Sequence, residues 1–361
     1  MFERAWHIGT FAKIPVKIHW TFLLILIYVA FSGLSQGGTL ASITMELIFV
    51  LCMFLCVVLH EFGHALTAKR YGITTEDIIL LPIGGVARLR NMPEKPKQEL
   101  IIAIMGPMVN VIIAILLFSF LFTRFGSEYF SLEQIGQLNF SNWTGFLPLL
   151  MISNIMLVVF NMIPAFPMDG GRVLRALLSM GFGRLKATRI ASIIGQVICV
   201  ILILIGLYYE AYTLALIGVF IFFSATQEYR SVALDAVIKN KTLNDCYRKE
   251  FHSFTEYTTV EEAFQYLMHS RDRQFIVINL LGQYSGTISA KQIIEARKKD
   301  PQLRLSEIYN RRILSLDADT EIMNAMYVLR SQAEIVMVMK EDELLGVADM
   351  EAIQHFMETQ G

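Results

Sequence analysis

The chain has 361 residues, of which 54% are hydrophobic and only 17% carry a charged side chain. Soluble domains carry roughly a quarter charged residues. The composition therefore indicates an integral membrane protein with a soluble part attached. The formal net charge of −1 offers no electrostatic basis for nucleic-acid binding and excludes that class.

Six apolar segments are long enough, or nearly so, to cross a bilayer, which takes about 20 apolar residues in a helix. They are 18–34, 43–66, 100–122, 145–163, 189–208 and 211–227. The sequence thus predicts a polytopic α-helical membrane domain with about six transmembrane helices, which occupies residues 1–230.

Basic residues are unevenly distributed between the loops that join these segments. If the N-terminus lies inside, the inner loops hold nearly all of the Lys and Arg residues, such as Lys69, Arg70 and Arg172, whereas the outer loops hold Arg124 alone. Cytoplasmic loops carry such an excess. We therefore expect a multi-pass protein of the cell membrane with both termini in the cytoplasm.

The composition changes near residues 227–230, and the chain from 231 to 361 is polar and mildly acidic. It contains a weak internal repeat, because 260–267 resembles 321–329 and each is followed by two short apolar strands. The second strand is expected to begin at Gly286 in one copy and at Gly346 in the other. The pattern predicts a soluble α+β region made of two copies of helix, strand, turn, strand and helix.

The most informative motif, His60-Glu61-Phe62-Gly63-His64, lies at the inner end of the second apolar segment. On a helix, His60 and His64 share one face and can hold one zinc ion, and Glu61 lies where it can take a proton from a metal-bound water. Charged groups inside a span cost about 2.5–3.5 kcal/mol each and rarely persist without a function. The alternative is a structural accident.

A catalytic zinc site needs three protein ligands and one open position, and Asp169 is the best candidate for the third ligand. It follows Pro164 and Pro167, which end the fourth segment, and two glycines after it permit a tight turn. The carboxylate is therefore expected level with the two histidines, near the cytoplasmic face. An Asp that only caps the next helix is the alternative, and Asp77 and His19 are weaker candidates for the ligand.

Two further features are candidates for contacts with a substrate. Asn161 lies eight residues before Asp169, and its amide could donate a hydrogen bond to an oxyanion or hold a substrate backbone. An Asn that only bridges membrane helices is the alternative. Segment 80–89 is apolar, contains Gly84 and Gly85 and is too short to span. It predicts a membrane-dipping hairpin whose edge pairs with an unwound substrate, or else a plain interfacial turn.

Together these motifs resemble the site-2 protease family of intramembrane zinc metalloproteases, over roughly residues 10–230. The matching features are His60 to His64, Gly84-Gly85, Gly106-Pro107 with Asn110, and the segment 161–170. The resemblance implies that His60, His64 and Asp169 bind one zinc ion and that Glu61 is the general base. It also implies that a single-pass transmembrane protein, such as an anti-sigma factor or a membrane-bound transcription regulator, is cut within or near the membrane.

Residues 231–361 resemble a tandem pair of cystathionine-β-synthase (CBS) domains, which implies a cytoplasmic regulatory region and a homodimer through it. CBS domains that bind adenine nucleotides often place an Asp on the ribose hydroxyls, a few residues after the second strand. Gln292 and Ala352 occupy the corresponding positions here. The sequence therefore argues against nucleotide binding and favours dimerisation or control of access to the site.

Two other classes of function remain as alternatives. A membrane metal transporter gated by the CBS-like region would place the histidines in a permeation path, but the last two segments offer few polar residues beyond Gln196. A catalytically inactive scaffold that binds partners through its tail has no need of Glu61 together with three candidate ligands.

Overall fold

The computed structural model describes residues 5–82, 84–89, 93, 95–126, 143–270 and 272–360. The chain forms two compact units, Met1–Arg230 and Ser231–Gly361. The helices described in the first unit are α1 (Phe22–Ser35), α2 (Leu40–Arg70), α3 (Pro96–Phe125), α4 (Trp143–Asn161), α5 (Asp169–Phe182), α6 (Arg184–Tyr208) and α7 (Tyr212–Ile238), whose last residues fall in the range of the second unit.

Three of the described helices, α2, α3 and α6, are long and apolar enough to cross a membrane. Helix α1 and the part Gly145–Asn161 of α4 are shorter apolar helices. Each of the six predicted segments overlaps a helix, but the count of six membrane crossings stays a prediction.

A four-stranded sheet packs against the C-terminal part of α2. Its strands are β1 (Ala5–Phe11), β2 (Ile14–His19), β3 (Thr75–Leu81) and β4 (Gly84–Leu89), in the order β1-β2-β3-β4. Strands β2 and β3 are parallel, and the other two pairs are antiparallel. The buried side chains of Ile14 and Ile78 pack with Ala65 of α2. The sheet therefore lies against the helix that carries the histidine motif, with β4 at one edge.

The sheet corrects one prediction and confirms another. The segment 18–34 was expected to be helical throughout, but its first residues belong to β2, where buried Ile14 and Val16 alternate with the less buried Pro15 and Lys17. That period of two is the pattern of a strand. The segment 80–89 does belong to a hairpin, whose first strand already begins at Thr75, while its position in the membrane stays a prediction.

Helices α2 and α3 approach each other closely because small residues line their contact. A Cβ atom built on Gly63 of α2 would lie only 2.5 Å from the main-chain oxygen of Met105 in α3. Small residues let membrane helices pack backbone against backbone in this way. This contact brings the face of α2 that carries the histidines onto α3.

A buried arginine joins three helices. The Arg175 side chain, on α5, is fully buried. Its Nε donates to Glu99 Oε1 of α3 at 2.6 Å, and its Nη1 donates to Glu228 Oε1 of α7 at 2.6 Å. The guanidinium carbon also lies 4.9 Å from the centre of the Phe166 ring. Arg175 therefore holds α5, whose first residue is Asp169, against two other elements.

We expect Arg175→Met to lower the free energy of unfolding by about 3–5 kcal/mol, because it leaves two carboxylates without their buried partner. Thermal unfolding of the purified protein in detergent measures the change. Lys69→Met is the control, since Lys69 makes a single exposed hydrogen bond to the Ala12 carbonyl oxygen and its loss should cost less than about 0.5 kcal/mol. Equal melting temperatures for the two variants would contradict the prediction.

The second unit confirms the predicted repeat. The first copy contains β5 (Ser253–Thr255), α8 (Val260–His269), β6 (Gln274–Ile278), β7 (Tyr284–Ser289) and α9 (Ala290–Arg297). The second contains β8 (Ser315–Asp317), α10 (Ile322–Ser331), β9 (Ile335–Lys340), β10 (Glu343–Asp349) and α11 (Met350–Gln360). Each copy forms a three-stranded sheet that opens with a short parallel strand, β5 or β8, which the sequence analysis did not predict.

Gly286 and Gly346 lie inside β7 and β10 rather than at their starts, which corrects the predicted boundaries. In each case a connecting segment passes directly over the glycine. A Cβ atom on Gly286 would overlap the main-chain oxygen of Asn310, and one on Gly346 would overlap that of Arg248. The repeated glycine is therefore a site of close backbone approach.

Candidate metal centre

The structure brings together the three residues that the sequence analysis proposed as ligands. His60 Nε2 and His64 Nε2 each lie 3.1 Å from Asp169 Oδ2, and the two Nε2 atoms are 3.1 Å apart. All three side chains are buried. Within the described ranges, no other group of three or more His, Cys, Asp or Glu residues has a geometry that could hold a metal ion.

The geometry of this triangle fits a zinc ion. Tetrahedral zinc with bonds of about 2.0 Å separates neighbouring ligand atoms by roughly 3.3 Å, close to the observed 3.1 Å. Two imidazoles and a carboxylate are also a donor set that suits zinc.

Gly106 leaves the space in which an ion can lie. A Cβ atom on Gly106 would overlap His64 Nε2 and would lie 2.8 Å from His60 Nε2. Any side chain at this position of α3 would therefore fill the space in front of the two nitrogen atoms.

Asp169 reaches the histidines because the chain folds back on itself after α4. The main chain turns between Asn161 and Asp169, where Ala165 N donates to Ile163 O at 2.8 Å and Met168 N donates to Ala165 O at 3.0 Å. Gly170 packs so closely on this turn that a Cβ atom would overlap the oxygen of Ile163. Asp169 is then the first residue of α5, where a negative charge interacts favourably with the helix dipole.

Both imidazole rings are oriented by hydrogen bonds at their other nitrogen atom. His64 Nδ1 lies 2.7 Å from the main-chain oxygen of Ile102, and His60 Nδ1 lies 2.6 Å from Asn110 Oδ1. A carbonyl oxygen only accepts, so His64 Nδ1 carries the proton and the Nε2 lone pair faces the cluster. The contact with Ile102 has no signal in the sequence, because every residue has a main-chain carbonyl.

Glu61 follows His60 on α2, and its side chain lies against the edge strand β4. The Ala87 N–H group of β4 donates to Glu61 Oε2 at 3.0 Å. A Cβ atom on Gly85 would lie 2.8 Å from Glu61 Cγ and 3.0 Å from Val57 Cγ1. The glycine therefore lets the β4 backbone run directly alongside the carboxylate.

Asn161 is the last residue of α4 and is half-buried. Its side chain makes no hydrogen bond to the residues that the structure describes. The predicted contact of its amide with a substrate therefore stays a prediction.

The two weaker candidates for the third ligand are engaged elsewhere. His19 Nδ1 lies 2.7 Å from Thr21 Oγ1. Asp77 is buried and accepts hydrogen bonds from Lys17 Nζ, at 2.6 Å, and from Arg88. Burial alone would raise the pKa of Asp77, but the bonds from Arg88 and Lys17 outweigh it and hold the pKa below its usual range. This carboxylate therefore joins β2, β3 and β4.

Comparison with known proteins agrees with this site. The model of peptidase family M50 matches residues 48–131 and 126–205. The zinc metalloprotease MJ0392 of Methanocaldococcus jannaschii is 35% identical over 336 residues, which cover 92% of this chain and 90% of that protein. The solved site-2 protease from M. jannaschii is 39% identical, with a TM-score of 0.46, and covers 62% of this chain and 95% of that one.

The chain is also similar to solved CBS domains. The CBS domains of a transcriptional regulator from Streptococcus pneumoniae are 23% identical, with a TM-score of 0.28, and cover 32% of this chain and 97% of that one.

One helix of membrane length presents two histidines and a glutamate, and a second helix adds a carboxylate next to the histidines. This combination defines a membrane-bound metallopeptidase. The chain belongs to peptidase family M50. It is a zinc metalloprotease, zinc is its cofactor, and it is a membrane protein. The comparisons give no support to the alternative of a metal transporter.

We expect Gly106→Ala to lower the zinc content of the purified protein from one ion per chain to near zero, because the added methyl group occupies the space between the ligands. Plasma mass spectrometry of the detergent-purified protein measures the content. Gly181→Ala is the matched control, since a Cβ atom at that position of α5 meets no atom within 4 Å. A full zinc complement in Gly106→Ala would contradict this account of the site.

Proposed function

We propose that the protein is an intramembrane zinc metalloprotease that hydrolyses a peptide bond of a single-pass transmembrane substrate within or near the membrane. The observation that carries the proposal is the buried triangle of His60, His64 and Asp169 with Glu61 beside it, on a helix of membrane length. We assign the three corners of the triangle as zinc ligands and Glu61 as the general base.

Zinc bound at this site would lower the pKa of a coordinated water to near neutrality and polarise the scissile carbonyl. Glu61 supplies the proton transfers. Its carboxylate takes the proton of the attacking water and delivers it to the leaving amine nitrogen. The hydrogen bond from Ala87 N–H holds one carboxylate oxygen, so the other stays available for the proton.

The substrate is bound as an extended strand beside β4. A peptide bond inside a helix is held in that helix's own hydrogen bonds, so the segment to be cut has to unwind first. An edge strand offers free main-chain groups that an unwound segment can pair with, and β4 is at the edge of its sheet. Gly84 and Gly85 carry no side chains and let the substrate backbone approach Glu61. Asn161 is proposed to donate a hydrogen bond to the substrate or the oxyanion.

The orientation follows from the charge of the loops. Both termini lie in the cytoplasm and the metal centre lies toward the cytoplasmic side, where water reaches it. The membrane domain comprises residues 1–230, and its proposed substrates include membrane-bound regulators of transcription.

The region 231–361 is proposed to be a cytoplasmic pair of CBS-like domains that forms a homodimer or controls access to the site. Its two βαββα copies support this assignment. Nucleotide binding is not part of the proposal, because Gln292 Oε1 accepts hydrogen bonds from Ser289 at the start of α9 and Ala352 offers no polar side chain.

We expect Glu61→Gln to keep its zinc but to lose cleavage by at least about 100-fold, the usual contribution of a general base. The amide keeps an oxygen for the Ala87 N–H group, so only the proton transfer is removed. Quantitative proteomics of membranes from cells that carry each variant measures the single-pass proteins that accumulate. Glu46→Gln, a second acid on α2, is the control and should resemble wild type. Identical membrane proteomes for Glu61→Gln and wild type would refute the proposed activity.

We expect Ala87→Pro to slow cleavage by about 100-fold at unchanged zinc content, because it removes the N–H group that holds Glu61, and small misplacements of a catalytic group cost that much. Proline is tolerated on edge strands. The substrates that accumulate in Glu61→Gln cells serve as the assay. Ala87→Gly keeps the N–H group and should retain activity. Wild-type rates in Ala87→Pro would rule out this role for β4.

A further inference from the structure

We propose that Asn154 is a positioning residue of the metal centre, which acts through Asn110 to keep the proton of His60 on Nδ1 and the Nε2 lone pair toward the zinc. The inference rests on the proposed zinc site. Asn154 belongs to α4 and is a polar residue inside the apolar segment 145–163.

A continuous row of hydrogen bonds links Asn154 to the metal centre. Asn154 Nδ2 donates to the main-chain oxygen of Leu150 at 2.9 Å and approaches Cys56 Sγ at 3.5 Å. Its Oδ1 accepts from Asn110 Nδ2 at 2.8 Å, and Asn110 Oδ1 lies 2.6 Å from His60 Nδ1. Asn110 and Asn154 are both fully buried, so solvent does not compete for these groups.

The direction of every bond in this row follows from its far end. The oxygen and nitrogen atoms of an amide are distinguished by their partners. The carbonyl of Leu150 can only accept, so Asn154 must turn its nitrogen toward it and its oxygen toward Asn110. Asn110 must then turn its nitrogen toward Asn154 and its oxygen toward His60. That oxygen only accepts, and His60 Nδ1 has to carry the proton.

The two histidines therefore reach the same tautomer by different means. His64 is oriented by the Ile102 carbonyl, which offers only an acceptor. His60 is oriented by a side-chain amide, which can offer either a donor or an acceptor. Without Asn154, the Asn110 amide can rotate and present its nitrogen to His60 Nδ1. The proton would then move to Nε2, the atom that has to bind zinc.

The competing explanation is that Asn154 only joins α3 and α4, as polar residues commonly do between membrane helices. The two explanations predict opposite results for two substitutions of similar size. Leucine packs well in a span but accepts no hydrogen bond. Aspartate accepts from Asn110 Nδ2 whether or not it is protonated, but it places an acid among apolar neighbours.

The test measures zinc affinity by competition with a chelator, using the purified full-length protein in detergent. We expect Asn154→Leu to weaken zinc binding by about 10- to 100-fold, the usual effect of removing an outer partner of a ligand, and Asn154→Asp to stay within about threefold of wild type. The visible spectrum of the cobalt-substituted protein should change for Asn154→Leu only. The reverse order of affinities would overturn the inference, because packing would then be the role of Asn154.

A double-mutant cycle tests whether Asn154 acts through Asn110. In an Asn110→Leu background, Asn154→Leu should weaken zinc binding no further. Additive losses would overturn the inference. Gln196→Leu is the matched control, since Gln196 Nε2 donates to Thr226 Oγ1 at 3.0 Å between α6 and α7, and its zinc affinity should equal that of wild type.

Two outcomes separate this inference from the proposed function. If wild-type protein binds no zinc, the proposed function fails. If wild type and Asn154→Leu bind zinc equally, only the role of Asn154 fails. Should Asn154→Leu not purify as a folded protein, Asn154→Ala replaces it in both measurements with the same expected loss.

Discussion

The close packing of α2 on α3 is the contact on which the metal centre depends. Gly63 brings the two backbones together, and Gly106 leaves a space in front of the imidazole rings. Only at this separation can the Ile102 carbonyl and the Asn110 side chain of α3 both reach the histidines of α2. One helix therefore presents the two histidines, and its neighbour supplies both the space for an ion and the bonds that orient the rings.

The free energy that burial of these polar groups costs has to be offset by hydrogen bonds or by a bound cation. The exposed fractions of His60, His64 and Asp169 are only 5%, 4% and 6%. A buried polar group without a partner costs several kcal/mol in an apolar environment, and each of these rings has a hydrogen bond at Nδ1. The two Nε2 atoms and Asp169 Oδ2 converge on one point, where a divalent cation would balance the carboxylate charge. On the helix that begins with Asp169, Arg175 meets the same requirement with two carboxylates and an aromatic ring.

The sequence predicted the parts of this protein that depend on local periodicity and on residues with special backbone properties. The spacing of His60 and His64 follows from the helical repeat, and the turn before Asp169 follows from its prolines and glycines. The start of the first apolar segment was assigned wrongly, because hydropathy alone does not separate a short buried strand from a helix. The role of Asn154 was not predicted, for a different reason. Its importance comes from Asn110, 44 residues earlier, and packing between helices decides that contact.

Neighbouring residues of α2 are held by separate parts of the structure. His60 is oriented from the helix side, by Asn110 of α3, whereas Glu61 is held from the sheet side, by the Ala87 N–H group of β4. A substrate strand that pairs with β4 would therefore act on the proposed base without disturbing the bond that orients the ligand. Changes inside the helix cluster would instead alter metal binding and leave the sheet intact. In the proposed mode of substrate binding, this separation would let the edge strand adjust to a peptide while the metal centre keeps its geometry.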